Sequence, residues 1–186
     1  MSKKLYHETH PRTATKIANE GFKSSNSQKA TPNTNGNLYI PRQDASFELS
    51  GEYFKLVNFM LDKLRPTSYP QRGSSIWFYN YEPTTSPLDR DSYLVCDAEQ
   101  IFNLTTEPLV AVPFSIADEL FMGELKKQFT GHQQLEKDVL HQKIEEYWDS
   151  AQTIQSPSEI PTDQLYEVYV PQENLPSDII IESREY

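Results

Sequence analysis

The residues best suited to chemistry stand near the two ends of the chain: His7 in Leu5-Tyr6-His7-Glu8-Thr9, and Glu167 in Leu165-Tyr166-Glu167-Val168-Tyr169-Val170-Pro171. A strand alternates its side chains between two faces, so Glu167 shares one with Leu165 and Tyr169, while Tyr166, Val168 and Val170 face the other way. A single carboxylate in such an apolar and aromatic strand is costly to bury without a partner. It therefore faces solvent, or lines a cleft with a partner; the strand pattern accommodates both. His7 closes a short strand just before a helix, the kind of junction where α/β folds form clefts. A surface or capping histidine fits the same pattern. His7 and His10 lack the spacing of a helical metal pair, and Pro11 follows at once. His132 and His141 have no convergent ligands nearby in the sequence, so no metal site is expected.

The common templates for nucleotide and ester chemistry are missing. None of the six glycines falls in a G-x-G-x-x-G or Walker arrangement, and there is no G-x-S-x-G elbow. The one cysteine, Cys96, ends the apolar run Tyr93-Leu94-Val95-Cys96 and reads as a small buried hydrophobe rather than a nucleophile. With one cysteine there is no disulfide framework.

The elements that must position His7 and Glu167 follow from pattern. A chain of 186 residues with 37% hydrophobic and 12% aromatic content forms one ordinary domain spanning residues 1–186. A strand at 4–7 leads into a helix, with Thr9 or His10 as its cap, Pro11 at its first position and Gly21-Phe22 as its stop. Residues 23–37 read as a loop, with a short strand at 38–40. A helix over 51–64 is capped by Ser50 and closed by Pro66; Phe54, Val57, Leu61 and Leu64 share its apolar face. Strands are predicted at 76–81, 92–96 and 109–113. Ser115 and Asp118 form a capping box for a helix ending near Thr130-Gly131, and a second helix covers 134–151. A loop over 153–162 precedes strands at 165–170 and 178–181. Helices inserted among strands define an α+β or mixed class.

Charge narrows the partners. The net charge of -10 argues against a broad nucleic-acid face, although Lys3, Lys4, Arg12, Lys16 and Lys23 form a locally basic start. No apolar stretch approaches a membrane span, and the N-terminus lacks the apolar region of a signal peptide, so a cytoplasmic protein is expected.

The two ends together resemble a known family. Leu-Tyr-His-Glu-Thr, a helix and Glu20-Gly21-Phe22 are similar to the opening of ADP-ribosyltransferase-like proteins. Tyr166 to Pro171, followed by Leu175-Pro176 and Ile179-Ile180, resembles the segment that carries their catalytic glutamate. The resemblance is nearest to the DNA-targeting toxin branch and to the poly(ADP-ribose) polymerase-like class with a His-Tyr-Glu site. It implies a split β-sheet core with inserted helices, and NAD⁺ as substrate. It also implies roles. His7 would bond ribose hydroxyls, Thr9 would help seat the nicotinamide side, and Glu167 would hold the 2′-hydroxyl of the nicotinamide ribose. Tyr79 would stack on nicotinamide, with Trp77 as its rival on the same face and core packing as the plain alternative for both. Arg72 would meet the pyrophosphate; a solvent-exposed arginine fits its sequence position as well. The chain departs from the family at Glu8, where polymerase-like members have Gly, and at Leu165, where arginine-modifying members have a second Glu.

The implied chemistry follows from charge. Nicotinamide leaves as a neutral group while the ribose becomes oxocarbenium-like, and a carboxylate bonded to its hydroxyl stabilises the developing cation. The reading requires two strands lying side by side that hold the His7 imidazole and the Glu167 carboxylate on one face of the sheet, so that they grip one sugar across one cleft. The acceptor stays open among nucleobase, protein side chain, small molecule and water, the last making an NAD glycohydrolase. Alternatives are an inactive binding or adaptor module on the same fold, an RNA 2′-phosphotransferase (whose several phosphate-binding cations the chain lacks), and an adaptor working through its acidic helices.

Overall fold

Leu109–Pro113 (β5) and Ser92–Asp97 (β4) are buried at almost every position, the signature of strands covered on both faces. In the computed structural model, which describes residues 3–23, 46–72, 75–83, 91–131 and 135–186, they belong to a seven-stranded sheet. Its other strands are Lys4–Thr9 (β1), Ile76–Tyr79 (β3), Gln152–Ile154 (β6), Tyr166–Val170 (β7) and Ile180–Glu185 (β9). The order is β6-β5-β7-β3-β1-β4-β9, and each neighbouring pair is antiparallel. Phe22–Lys23 (β2) and Asn174–Leu175 (β8) form a separate small ladder. The expected strand at 38–40, the loop before it and His132 lie outside the described residues.

Helices cover both faces, so the class is mixed α+β. On one face Leu5, Phe78, Leu94, Val168 and Val170 pack with Ala14 of Pro11–Glu20 (α1) and with Ala98 and Ile101 of Ala98–Leu104 (α3). On the other, Val110, Val112 and Tyr169 pack beneath four helices: Ser46–Lys63 (α2), Phe114–Met122 (α4), Glu124–Thr130 (α5) and Lys137–Ser150 (α6). Among the described residues, no helix is long and apolar enough to cross a membrane.

The strands are unequally joined. β1 shares six register pairs with β4 but one with β3, Tyr6↔Tyr79. The β1–β3 join is thus the shortest in the seven-stranded sheet.

Several boundaries differ from the pattern reading, each for a local reason. Thr9 continues β1 by pairing with Ser92, and α1 starts from His10 without a side-chain cap. Gly21 ends α1 at φ 79°, and a Cβ there would lie 2.4 Å from the Leu175 carbonyl oxygen, so only glycine fits both the angle and the space. α2 begins at Ser46, which puts Ser50 inside it. Pro113 occupies the cap of α4, so Ser115 lies in the first turn and no capping box forms. The helix expected to run to Thr130 breaks at Gly123, where the chain passes so close to Glu119 that a Cβ would stand 2.3 Å from its carbonyl oxygen. α3 forms where no helix was expected, capped by Asp97 accepting from the Glu99 and Gln100 amides. β6 and a 3-10 turn at Pro157–Glu159 occupy the expected loop.

Candidate functional site

Register decides which side chains meet. Tyr79 pairs with both Tyr6 and Glu167, and Glu167 pairs in turn with Val112. Directly opposed residues share a sheet face, so Tyr79 and Glu167 point toward α2, α4 and α6. Glu8, two residues beyond Tyr6, points the same way. A cavity of about 360 Å³ opens there, within the usual size of small-ligand sites. Aromatic rings of Phe54, Trp77, Tyr79, Phe114 and Phe121 line it, together with the carboxylates of Glu8, Asp118 and Glu167.

Glu167 has its partner. Arg72 Nη2 donates to Glu167 Oε1 at 2.7 Å, with side-chain exposures of 2% and 12%. Tyr147 of α6 donates to the same oxygen at 3.3 Å. Among the described residues no bond reaches Oε2, the oxygen left to accept from a ligand. Arg72 is fully enclosed: Nε donates to the Tyr147 hydroxyl at 2.8 Å, Nη1 to Asn58 Oδ1, and the guanidinium lies 4.5 Å and 4.3 Å from the Trp77 and Phe121 ring centroids. Burial works to lower the guanidinium pKa, but Glu167 and Tyr147 outweigh it and hold it above the ordinary range. The alternative of a solvent-exposed arginine is therefore corrected: Arg72 is buried in the wall of the cavity. Each of its three nitrogens donates one bond, to Tyr147, Asn58 and Glu167.

His7 and Thr9 occupy the other side of the β1–β3 join. Leu5, His7 and Thr9 alternate against Tyr6 and Glu8, and His7 pairs with Leu94. The imidazole stands edge-on to Phe22 and Phe78, with centroids 5.1 and 5.7 Å away, and its Nδ1–H donates to the Trp77 carbonyl at 2.7 Å. The expectation of neighbouring strands is corrected, because β3 stands between β1 and β7. So is the expectation of one shared face: strict alternation puts His7 and Thr9 on the face opposite Glu167. His7, Thr9 and Glu167 nonetheless all border the same cavity, at the short join between β1 and β3.

Tyr79 is 7% exposed, and its ring meets Phe114 edge-on at 5.5 Å. Its hydroxyl makes no hydrogen bond among the described residues. Burial, then the charges of Glu167, Glu8, Tyr186 and Asp118, hold its phenol pKa above the usual value. Trp77 lies on the same face two residues earlier; its Nε1 is buried with no hydrogen-bond partner among the described residues.

Pattern reading missed Glu8, Asp118, Asn58 and Tyr147 as parts of this site. Alternation along β1 separates Glu8 from His7, but only the β1–β3 register reveals which of them faces Glu167. Asp118 reads as a helix-start residue, and Asn58 and Tyr147 as ordinary helix positions. Among the described residues, no group of three or more His, Cys, Asp or Glu side chains is arranged to hold a metal ion. No family model, curated protein or solved structure matches the chain.

Proposed function

We propose that this chain is an ADP-ribosyltransferase that cleaves NAD⁺ at the nicotinamide–ribose bond and passes ADP-ribose to an acceptor. The observation that carries the reading is Glu167. It is a carboxylate fixed through one oxygen by Arg72 and Tyr147, in an aromatic cavity. Oε2 accepts from the 2′-hydroxyl of the nicotinamide ribose. Tyr79 or Trp77 packs on the leaving ring. His7, its Nδ1–H held by the Trp77 carbonyl, borders the same cavity and binds a ribose hydroxyl. As the ring leaves, positive charge develops on the ribose beside Glu167, in a site where Glu8 and Asp118 add negative potential.

The test is incubation with NAD⁺ labelled in the adenylate moiety, with and without cell lysate, measuring nicotinamide release and label transfer. Wild type releases nicotinamide. Glu167→Gln lowers the rate at least about a hundredfold, the size expected for loss of one transition-state electrostatic group, and keeps its helical circular dichroism. Release without transfer identifies water as the acceptor, hence an NAD glycohydrolase. Equal release by wild type and Glu167→Gln removes Glu167 from the mechanism.

Two observations favour a second reading, a binding module without turnover: His7 and Glu167 stand on opposite faces of the sheet, with β3 between their strands, and the carboxylate is already paired. Arg72 neutralises the charge that Glu167 offers to an oxocarbenium ion. Saturable NAD⁺ binding with no nicotinamide release in wild type selects it.

A further inference from the structure

A second cavity, of about 340 Å³, lies past the end of β7 remote from Glu167 and shares no lining residue with the first. β5 and β7 run antiparallel, and continuing their register sets Pro108 opposite Pro171 on its wall. The loop after α2 supplies Arg65, Thr67, Ser68 and Gln71. Neighbours hold that loop in place: the Tyr69 hydroxyl donates to the Ala151 carbonyl at 2.7 Å, the Tyr169 hydroxyl to the Pro70 carbonyl at 3.3 Å, and Ser75 Oγ to the Gln71 carbonyl at 2.7 Å. Two opposite charges line the cavity without meeting. Arg65 Nη1 donates to the Tyr69 carbonyl, but Nε is buried with no hydrogen-bond partner, and Nη2 makes no bond among the described residues. Nε–H and one Nη2–H lie along one edge of the guanidinium, the edge that matches both oxygens of a carboxylate. Glu107 is exposed at the same cavity and forms no ion pair with Arg65. The prolines narrow the ligand further. Phosphates are commonly cradled by backbone N–H groups, and Pro70, Pro108 and Pro171 have none. The wall therefore offers one forked cation, one carboxylate and few other donors.

We infer that this cavity binds a small zwitterion, a free α-amino acid, with its carboxylate on the Nε/Nη2 edge of Arg65 and its ammonium on Glu107. The carboxylate enters beside Nη2, and the Arg65 side chain, bonded at Nη1 alone, tilts to bring Nε–H onto the second oxygen. A ligand with only a carboxylate leaves Glu107 unpaired and repelled. A ligand with only an amine leaves Arg65 Nε unsatisfied. An α-amino acid meets both charges at once, and the hydroxyls of Thr67 and Ser68 face its remaining polar groups. The site does not depend on the transfer reading, because none of its residues touches the Glu167 cavity.

The experiment screens the common L-amino acids singly against the full chain, without nucleotide, by ligand-observed NMR. The tightest binder is then compared with its N-acetyl and carboxamide derivatives, each of which keeps one of the two charges, and with inorganic phosphate. The unmodified amino acid binds at least about tenfold more tightly than any of the three, a difference of about 1.4 kcal/mol. Glu107→Gln, at an exposed position, melts as wild type does and loses the preference over the N-acetyl form. Arg65→Gln loses the preference over the carboxamide, and Arg65→Lys, which keeps the charge without the fork, binds the amino acid several-fold more weakly. Should the Arg65 variants unfold, Glu107→Gln alone decides. Glu167→Gln binds the amino acid as wild type does; a loss there sends the ligand to the first cavity and overturns the proposal. So does the absence of any bound amino acid, tighter binding of phosphate, or binding indifferent to Glu107→Gln. Nicotinamide release from NAD⁺, present or absent, bears on the transfer reading alone.

Discussion

Replacing Arg72 with Met tests what holds the site together. The guanidinium is sealed between Trp77 and Phe121 and satisfies three acceptors at once: Glu167 Oε1, Asn58 Oδ1 and the Tyr147 hydroxyl. Methionine fills a similar volume but donates nothing, so a carboxylate with 12% side-chain exposure loses its countercharge. Removing one member of a buried pair costs about 3–5 kcal/mol, because the other charge is left uncompensated. For a chain of this length each kcal/mol moves the melting temperature by about 2–4 °C, so Arg72→Met should melt about 6–20 °C lower. Glu167→Gln in the Arg72→Met background removes the stranded charge and should recover much of the loss, since replacing both partners is often close to neutral. Urea denaturation followed by circular dichroism, on wild type, both single variants and the double, completes the cycle. A coupling energy of about 2 kcal/mol or more is expected, in the range measured for residues of one network. A single-variant loss below about 1 kcal/mol, or strictly additive losses, would refute the claim that Arg72 and Glu167 form one buried unit.

Other measurements probe the rest of the fold. Burial raises the phenol pKa of Tyr53, Tyr79, Tyr147 and Tyr169 above the ordinary 10.0. Above that pH the unfolded chain gives up protons that the folded chain keeps. Stability is therefore whole below about pH 10 and falls as pH rises further, by about 1.4 kcal/mol per unit for each of the four phenols; a urea midpoint unchanged from pH 9.5 to 11 contradicts this. Gly21→Ala should cost about 1–3 kcal/mol, because the backbone sits at φ 79° with the Leu175 carbonyl in the way; a thermal melt within 1 °C of wild type speaks against the local geometry. Cys96 is 0% exposed, and burial pushes its thiol pKa up. It should react with a thiol reagent at the rate of unfolding rather than of chemistry, and rapid labelling in native buffer would show the strand to be open.

Local pattern carried the strands at 92–96 and 109–113 and the apolar faces of α1, α2 and α6, because each rests on spacing within one element. It also narrowed the carboxylate at 167 to two states, facing solvent or paired in a cleft. It did not identify the partner, because Arg72 lies 95 positions away and reaches Glu167 only after α2, β3 and α6 have packed. The two faces of β1 were legible from alternation, but the assignment of Glu8 rather than His7 to the side of Glu167 depends on one cross-strand pair, Tyr6↔Tyr79. The helix break at Gly123 was marked by the glycine itself, which pattern reading passed over because the apolar spacing continues on both sides of it. α3 was missed for a related reason: seven residues over two turns give too short a period to stand out from its flanks.

Covering both faces of the sheet removes an ordinary safeguard. In a half-buried sheet, a strand shifted by one position exposes its apolar side chains and is rejected. β5 and β7 have hydrophobic neighbours above and below, so burial alone hardly distinguishes one alignment from the next. The Glu167 carboxylate does. Shifted by one, it would enter the face occupied by Phe78, Ala111 and Leu109, where no guanidinium waits among the described residues. The same ion pair that orients the carboxylate thus also locks β7 into its one permitted alignment between β3 and β5.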